Sequence, residues 1–563
     1  IGINGVVKAG KILYSPPTQL RNLGSATFFG VLGGSLNYKE VLPAAKIIWD
    51  QIKGKEGTNA DVYRYYIDIN LTQDTPNAGM VQDLMRDGDR LMGAVDNFMQ
   101  ENLGTGVAGN LTSRAKNFHK IVTNLYRAGD DIWKIIIFES QLADYMKATG
   151  LTRTQTDPVS GSSVERTVAQ RVRNTVPTYS LTGKGIKNLG RFPLMGPYVA
   201  FASEIIRTSI NNIKLIKSDL ADPRLKTLAY RRIAGTVIAH AWAKAAMGLS
   251  MALLGIDDDE EESLRKIGVG PWGKNSDYAF TGRNEKGQLT YVDLSFVDPY
   301  NMLHKSITAL QRGDNWFEGL ASAVGEIILP FVQPDIAAGA IYEVAANKKI
   351  LSGAPVYNPD APPEDITEAI ATHLFFQLGP GVLNPTRKIT KAFMGDRDFN
   401  GRVYDMENEV MGMFGARVST FDPKFSLYWR TGEFNEHIAN SRKYLSKVAQ
   451  DINPRSEGEL KEAFKEADEI RLRAYDDMMQ FVNAAKKSGL SDQQVRKVLR
   501  LSGVSKRYAN ALARGRPPPR WRLGPSFMKG ATKRAKLLID RDTANVLQER
   551  KRFVREVART APQ

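Results

Sequence analysis

The sequence predicts a mostly α protein with an elongated multi-helix architecture and one small β-hairpin near residues 278–296. Three observations predict this fold class. Apolar residues recur at helical spacing in several stretches. A polar turn at 284–287 separates two runs rich in aromatic and β-branched residues. Apolar residues make up 42% of the chain and charged residues 25%, as in chains that fold. This composition excludes a chain disordered throughout, a collagen-like repeat and a polytopic membrane protein.

Helical periodicity is clearest in the first third of the chain. It predicts helices over 83–103, 111–128 and 130–148. The third has the strongest amphipathic pattern. Its predicted buried face consists of Trp133, Ile136, Ile137, Leu142 and Tyr145. Helical spacing returns over 164–173 and 197–217.

Ser456 and Glu459 match a capping box, which predicts the start of a long amphipathic helix ending near Gly489.

With 563 residues, the chain is too long for one compact domain. Composition and periodicity divide it into a Gly-rich apolar N-terminal segment (1–60), a helical region (61–150), a polar linker (151–185), a region with an apolar helix and the hairpin (186–310), a helical region with a Pro-rich loop at 352–366 (311–450), the long amphipathic helix (451–489), and a basic C-terminal helical hairpin and tail (490–563).

The net charge lies at one end of the sequence. The chain carries +16 in total, and residues 486–563 hold 21 Lys/Arg against 5 Asp/Glu. The preceding 485 residues hold 56 of each sign and are neutral. A basic tail on a neutral body predicts an anionic partner, either nucleic acid or an acidic membrane face. A solvated tail that aids solubility is the alternative.

Motifs for catalysis or metal binding are weak. There is no Cys, which excludes disulfides, Cys-ligated zinc and a thiol nucleophile. Gly104–Gly109 fits GxGxxG, but a helix is predicted where a dinucleotide fold needs a strand. The five histidines lie more than 60 residues apart, so we expect single histidines rather than a ligand set. The acidic run Asp257–Glu262 lacks calcium-loop spacing and predicts a solvated cluster at a helix end. No cofactor or metal is expected.

Residues 233–256 form an apolar stretch that is long enough to span a bilayer. It contains His240 and Lys244, and a charge at the bilayer centre costs roughly 2.5–3.5 kcal/mol. Its small residues permit close helix packing, in lipid or in protein. A buried core or oligomer-interface helix and conditional membrane insertion both remain open. The residues predicted to make the membrane or oligomer contact are Ile233, Val237, His240, Trp242, Lys244, Met247, Met251 and Leu254.

The C-terminal region predicts a helical hairpin followed by an extended basic stretch. Ser491 should cap a first helix, 502–505 form a tight turn, and 506–513 form a second helix. The layout mimics a helix-turn-helix, as any helical hairpin with a Gly turn does. The Pro-rich stretch that follows can place cations on phosphates and stack Trp521 on a base. The residues predicted to bind nucleic acid or an anionic surface are Lys506, Arg507, Arg514, Arg516, Arg520, Trp521, Arg522, Lys529, Lys533, Arg534 and Lys536.

Three stretches of the sequence are distinctive. They are Phe192–Asn211 (FPLMGPYVAFASEIIRTSIN), the run from Tyr230-Arg-Arg-Ile-Ala-Gly235 to Tyr291-Val-Asp293-Leu-Ser-Phe-Val-Asp298-Pro-Tyr300, and the turn from Gly489-Leu-Ser to Gly503-Val-Ser that ends in Gly515. These stretches resemble the internal virion, or DNA-ejection, proteins of short-tailed bacteriophages and related regions of large phage polyvalent proteins. The resemblance covers roughly 190–310 and 488–520. It carries no known catalytic residues.

The resemblance implies a helical, non-enzymatic virion protein that leaves with the genome and helps form a DNA-translocation conduit across the host envelope. It would lie in the capsid interior or tail lumen, and after ejection in the host cell envelope. The implied partners are further copies of the chain, other phage ejection, tail or portal proteins, phage DNA and the host inner membrane. The chain begins Ile1-Gly2-Ile3, which we interpret as the C-terminal part of a longer parent.

Two other functions remain open. The chain could be the non-catalytic segment of a large virion enzyme, such as a virion RNA polymerase or a peptidoglycan hydrolase, with the active site elsewhere in the parent. It could also be a nucleic-acid-binding module that acts alone.

Overall fold

The computed structural model confirms the mostly α fold. It describes residues 11, 14–53, 55–72, 124, 129, 131–183, 185–186, 199–270, 273–313, 315–332, 336–350, 356–357, 359, 361–396, 404–450 and 457–519. Within these ranges the helices are α1 (Pro16–Leu32), α2 (Val41–Ile52), α3 (Thr58–Asp68), α4 (131–149), α5 (Val164–Thr175), α6 (Val199–Ala221), α7 (Lys226–Leu254), α8 (Asp258–Ser263), α9 (Asn301–Arg312), α10 (Trp316–Val332), α11 (Ile336–Ala345), α12 (Pro363–Leu378), α13 (Leu383–Phe393), α14 (Met406–Met413), α15 (Pro423–Gln450), α16 (Glu457–Lys487), α17 (Asp492–Leu501) and α18 (Lys506–Ala513).

The predicted hairpin is present and is part of a small sheet. It consists of β1 (Tyr278–Arg283) and β2 (Leu289–Asp293), and the strand β3 (Val418–Thr420) extends it in the order β1-β2-β3. At the turn, the amide nitrogen of Asn284 donates to the carbonyl of Gln288 over 2.9 Å, and Gly287 has φ +72°. A left-handed backbone of this kind favours glycine. The polar turn therefore determines the hairpin.

Residue contacts divide the chain into two compact units. Unit 1 comprises Ile1–Ser250, Asn275–Thr281 and Tyr291–Ser419. Unit 2 comprises Met251–Lys274, Gly282–Thr290 and Thr420–Gln563.

The core of unit 1 forms around α4, whose apolar face is buried as predicted. Ile136, Ile137, Leu142 and Tyr145 are buried there, and Trp133 is half-buried. Apolar side chains of α1, α2, α3 and α5 complete the same cluster. An amphipathic helix gains most of its stability by burying such a face, so α4 is the central element of this unit.

The long helices α15 and α16 pack against each other in unit 2, and α17 and α18 pack on them. Phe434 of α15, Phe464 and Val482 of α16, Leu499 of α17 and Leu512 of α18 are all buried. The C-terminal hairpin is therefore part of the hydrophobic core of unit 2.

Some expectations from the sequence lie outside the described residues, namely the helix over 83–103, nearly all of the helix over 111–128, the GxGxxG stretch and Ser456. The Pro-rich loop predicted over 352–366 is wrong at its C-terminal end, because α12 already begins at Pro363. Proline suits the first turn of a helix because N–H groups there have no acceptor within the helix, so its missing N–H removes no hydrogen bond. The helices predicted over 164–173 and 197–217 are present as α5 and α6.

Candidate functional site

The hairpin of α17 and α18 is held by its caps and by its buried face. The Ser491 hydroxyl accepts from the Gln494 amide, and the Gln494 side chain accepts in return from the Ser491 amide over 2.9 Å. This capping box satisfies two backbone N–H groups at the start of α17. Gly503 has φ +87° in the connecting turn, and Val504 behind it is fully buried. The hairpin predicted from the sequence is confirmed.

The chain after α18 is bound to α16 through its backbone. We call residues 513–519 the docked segment. Three side chains of α16 donate to its carbonyl oxygens: Lys486 Nζ to Ala513 over 2.5 Å, the Tyr475 hydroxyl to Arg516 over 2.7 Å, and Arg471 Nη1 to Pro519 over 3.0 Å. The bound carbonyls are three residues apart, as are equivalent positions of a polyproline helix. The backbone of the docked segment is therefore fixed, while the side chains of Arg514 and Arg516 are exposed.

Arg471 anchors the end of the docked segment from inside the core. Its side chain is 1% exposed and pairs with Asp468, with 2.7 Å from Nε to Oδ1. A second donor nitrogen, Nη1, lies 3.3 Å from the Tyr508 hydroxyl of α18. Burial disfavours the charged guanidinium, but Tyr508 and Asp468 outweigh that effect and raise the pKa of Arg471. The cation stays charged and holds three parts of unit 2 together.

The hairpin and the docked segment expose a group of cations. We call Lys497, Arg500, Lys506, Arg507, Arg514 and Arg516 the basic surface; all six are exposed. Between 491 and 519 there are seven basic residues and one acidic residue, Asp492. Asp492 is already paired with Lys486 over 2.6 Å. Among the described residues, no carboxylate pairs with Lys506, Arg514 or Arg516. Arg520, Trp521, Arg522, Lys529, Lys533, Arg534 and Lys536 lie outside the described residues.

The geometry of α18 favours contacts to phosphates over the reading of bases. Tyr508, Ala509, Ala511, Leu512 and Ala513 are buried, so only the first turn of α18 is exposed. A recognition helix has to insert a row of side chains into the major groove. Phosphate contacts need only exposed cations on a fixed backbone, and the basic surface provides these.

The apolar helix α7 is not a core helix in the part of the chain that the structure describes. Only 11% of its most apolar 18-residue window is buried. Gly235, Ala239 and Ala243 are buried, whereas Val237 is 60% exposed and Leu249 62% exposed. A fully buried core helix does not fit this exposure, because only the side with Gly235, Ala239 and Ala243 is covered. An oligomer interface and a membrane contact remain as predictions.

The residues predicted for this contact lie on both sides of α7. Val237, Lys244 and Leu254 are exposed, while Ile233, His240, Trp242, Met247 and Met251 are partly buried. Trp242 packs on Phe28 of α1, with 5.0 Å between ring centroids. The polar residues of the apolar stretch have partners inside unit 1.

Two polar contacts, one helical turn apart, join α7 to α9. His240 Nδ1 lies 2.7 Å from His304 Nε2, and His304 Nδ1 bonds to Asp298. Lys244 Nζ donates to the Thr308 hydroxyl over 2.8 Å and lies 3.5 Å from Asp277. The expectation of single histidines is wrong for His240 and His304. A pair 64 residues apart in sequence becomes adjacent only when α7 and α9 pack.

The directions of the hydrogen bonds in this histidine pair follow from its partners. With Asp298 accepting from Nδ1, a neutral His304 presents Nε2 as an acceptor, so His240 donates from Nδ1. Burial lowers the pKa of His240, and the neighbouring His304 lowers it further. The neutral form of His240 is therefore favoured in this arrangement.

Residues in the stretches that resemble phage ejection proteins have structural roles. The Arg207 guanidinium donates to the carbonyls of Arg173, Asn174 and Val176, where α5 ends. The buried Glu204 carboxylate holds Arg207 and accepts from the Thr178 amide over 2.7 Å. Helix ends carry unsatisfied carbonyls, and Arg207 supplies donors for them. This stretch of the resemblance therefore attaches α6 to α5.

The acidic run lies at the N-terminus of α8, and most of it is paired. Asp257 caps the helix by accepting from the Glu260 amide over 2.8 Å. Asp259 pairs with Lys487, and Glu261 is buried against Arg265. Negative charge is favourable at a helix N-terminus. The run is at a helix end as predicted, but the expectation that it is a solvated cluster is wrong for the buried Glu261. The described residues contain no group of three His, Asp or Glu that could hold a metal ion.

Comparison of the chain with models of protein families, with curated proteins and with solved structures returns no match. The features of the described residues that bear on function are the basic surface and the exposed apolar side of α7.

Proposed function

We propose that this chain is a structural phage virion protein that is ejected with the genome and forms part of a DNA-translocation conduit across the host envelope. The observation that carries the proposal is the basic surface, in which Arg514 and Arg516 lie on a backbone fixed by three side chains of α16 and the other four cations lie on the packed hairpin. Cations that are already positioned lose little conformational entropy when they bind a polyanion. Lys506, Arg514 and Arg516, with which no described carboxylate pairs, release counterions from DNA when they bind phosphates.

A second observation supports a protein that also meets a membrane. The part of the chain that the structure describes contains one helix, α7, that is long and apolar enough to contact the hydrocarbon region, and its outer side is exposed. A soluble monomer rarely exposes a long apolar face without a partner for it. A chain that binds DNA through unit 2 and lipid through unit 1 has the two contacts that a conduit needs.

The proposed partners follow from these contacts. They are phage DNA, further copies of the chain, other phage ejection, tail or portal proteins, and the host inner membrane. The proposed locations are the capsid interior or tail lumen and, after ejection, the host envelope. The chain itself has no enzymatic role in this proposal.

A flotation experiment tests the two contacts together. The chain is mixed with fluorescent duplex DNA and vesicles of phosphatidylcholine and phosphatidylglycerol, and the vesicles are floated through a density gradient. A conduit protein carries the DNA to the top of the gradient. A variant with Lys506, Arg507, Arg514 and Arg516 replaced by Gln should float and leave the DNA behind. A chain that binds DNA but no vesicles would instead be a nucleic-acid-binding module that acts alone.

The symmetry of the assembly is a second test. Electron-microscopy class averages of the vesicle-bound chain should show closed rings with a central pore, because a head-to-tail interface closes into a ring when its rotation permits. Isolated monomers under the same conditions would contradict the conduit.

A further inference from the structure

Helix α7 has two sides with different environments, although both sides are apolar. Gly235, Ala239 and Ala243 are buried against unit 1. On the opposite side, Val237, Ile238 and Leu249 are each more than half exposed. A helix that is apolar all round is stable when its whole circumference is covered by protein or lipid. We therefore expect the outer side of α7 to be covered by another protein surface or by lipid.

Few ionisable side chains lie along this outer side. Between Ile233 and Leu254 the ionisable residues of α7 are His240 and Lys244. His240 bonds to His304, whereas Lys244 lies exposed at the edge of the outer side, two turns after Val237, and is paired with Asp277 and Thr308. From Ala234 to Leu254 this apolar side extends for about 30 Å. Desolvation of this side therefore removes no unpaired charge from water.

Exposed lysines lie at the end of the helix pair where α6 leads into α7. Lys214 and Lys217 on α6 and Lys226 on α7 are exposed, and no described carboxylate pairs with them. On α6, Ile210 and Ile213 directly before them are exposed as well. Lysines beside an apolar face complement the anionic headgroups of a bilayer, to which each contributes about 1 kcal/mol near the surface.

We propose that α7 docks side-on on an anionic lipid bilayer, with its outer side in the boundary between headgroups and acyl chains and its inner side still packed on unit 1. The proposal rests on the proposed function only in that the host membrane is its partner. A crossing orientation would break the contacts of His240 and Lys244 and that of the buried Arg232 with the Asn212 side-chain oxygen, and would carry these side chains into the hydrocarbon. Side-on docking leaves all three contacts intact, and Lys244, at the edge of the docked side, keeps its partners Thr308 and Asp277.

Vesicle partitioning of matched variants tests the docking face. Val237→Glu places a charge on the outer side of α7, and Val159→Glu makes the same change at a 73% exposed valine in the loop before α5. Binding to vesicles that contain phosphatidylglycerol should fall about tenfold or more for Val237→Glu and less than about twofold for Val159→Glu. Equal losses in the two variants, or none in either, would overturn the proposal. Circular dichroism confirms that both variants fold.

Depth measurements distinguish side-on docking from crossing. The chain has no native Cys, so single cysteines at Val237, Ala245 and Leu249 can each carry a fluorophore, with quenchers at known depths in the lipid. Val237 and Leu249 are 12 residues apart, or about 18 Å along the axis. Side-on docking predicts one shallow depth for all three labels. Depths that differ by about the axial distance mean a crossing helix and would overturn the proposal.

The remaining outcomes separate this proposal from the proposed function. If the label at Leu249 is already shielded without vesicles, and shielding increases with protein concentration, a second copy covers α7 and the docking proposal fails. If the labels report crossing while the vesicles still carry DNA, side-on docking fails and the conduit stands. If docking is side-on but no DNA floats with the vesicles, the conduit fails and the docking stands.

Discussion

Removal of four cations from the basic surface should change the salt dependence of DNA binding by a calculable amount. In the four-site variant, Lys506, Arg507, Arg514 and Arg516 are replaced by Gln. These side chains are exposed and lie on a backbone fixed by buried residues and by α16. If each contacts one phosphate, the slope of log K against log salt should decrease by about 3.6. Between about 50 and 200 mM salt, the native chain should then lose about 150-fold more affinity than the variant.

The assay is fluorescence anisotropy of a labelled duplex at several salt concentrations. A matched control removes four exposed cations from α15 instead, by replacing Lys424, Arg442, Lys443 and Lys447 with Gln. This control has the same net charge as the four-site variant, so a general charge effect predicts equal slopes for the two. An unchanged slope in the four-site variant, or the same decrease in the control, would refute the assignment of DNA contacts to the basic surface.

Three further predictions concern stability and pH. Arg471→Met leaves the buried carboxylate of Asp468 unpaired, so the free energy of unfolding in urea should decrease by about 3–5 kcal/mol. Adding Asp468→Asn should recover much of this loss. If the double variant recovers nothing, the buried pair is not the cause of the loss. Gly235→Ala places a Cβ 2.0 Å from a backbone oxygen of α1 and should lower the free energy of unfolding by about 1–3 kcal/mol. Gly248→Ala is the control on the same helix. Its Cβ meets no atom within 4 Å, so it should raise the free energy of unfolding by up to about 1 kcal/mol. The pKa of His240 is lowered in the folded state, so the unfolded state binds more protons, and the thermal midpoint should fall as pH decreases below about 6.5. His240→Gln should weaken this pH dependence. An equal fall in the variant would assign the pH dependence to other groups.

Elements with local signals were predictable from the sequence. Ser491, Gln494 and Gly503 define the ends of α17 and the turn after it, and the structure places both there. The apolar spacing of α4 likewise identified a buried face. Such elements depend on residues within a few positions of one another, which a single sequence displays directly.

Elements that depend on distant pairing were not predictable. β3 has only three residues and joins the sheet from more than a hundred residues beyond β2. The contact of His240 with His304 forms only when two helices pack. The docked segment binds through backbone carbonyls, which every residue has, so its sequence contains no side-chain pattern for that contact. A single sequence does not display such long-range contacts, and here they shape both candidate surfaces.

The contact at Gly235 restricts how α7 can move. A Cβ at this position would lie 2.0 Å from the Val31 carbonyl oxygen, so no side chain fits between α7 and α1 there. A shift of α7 by one turn, about 5.4 Å, would bring Arg231 or Ala239 to that point, and both carry a side chain. Sliding along the axis is therefore blocked in both directions. If α7 ever leaves its position, it has to lift off as a whole, so the transition has two end states and no stable intermediate register.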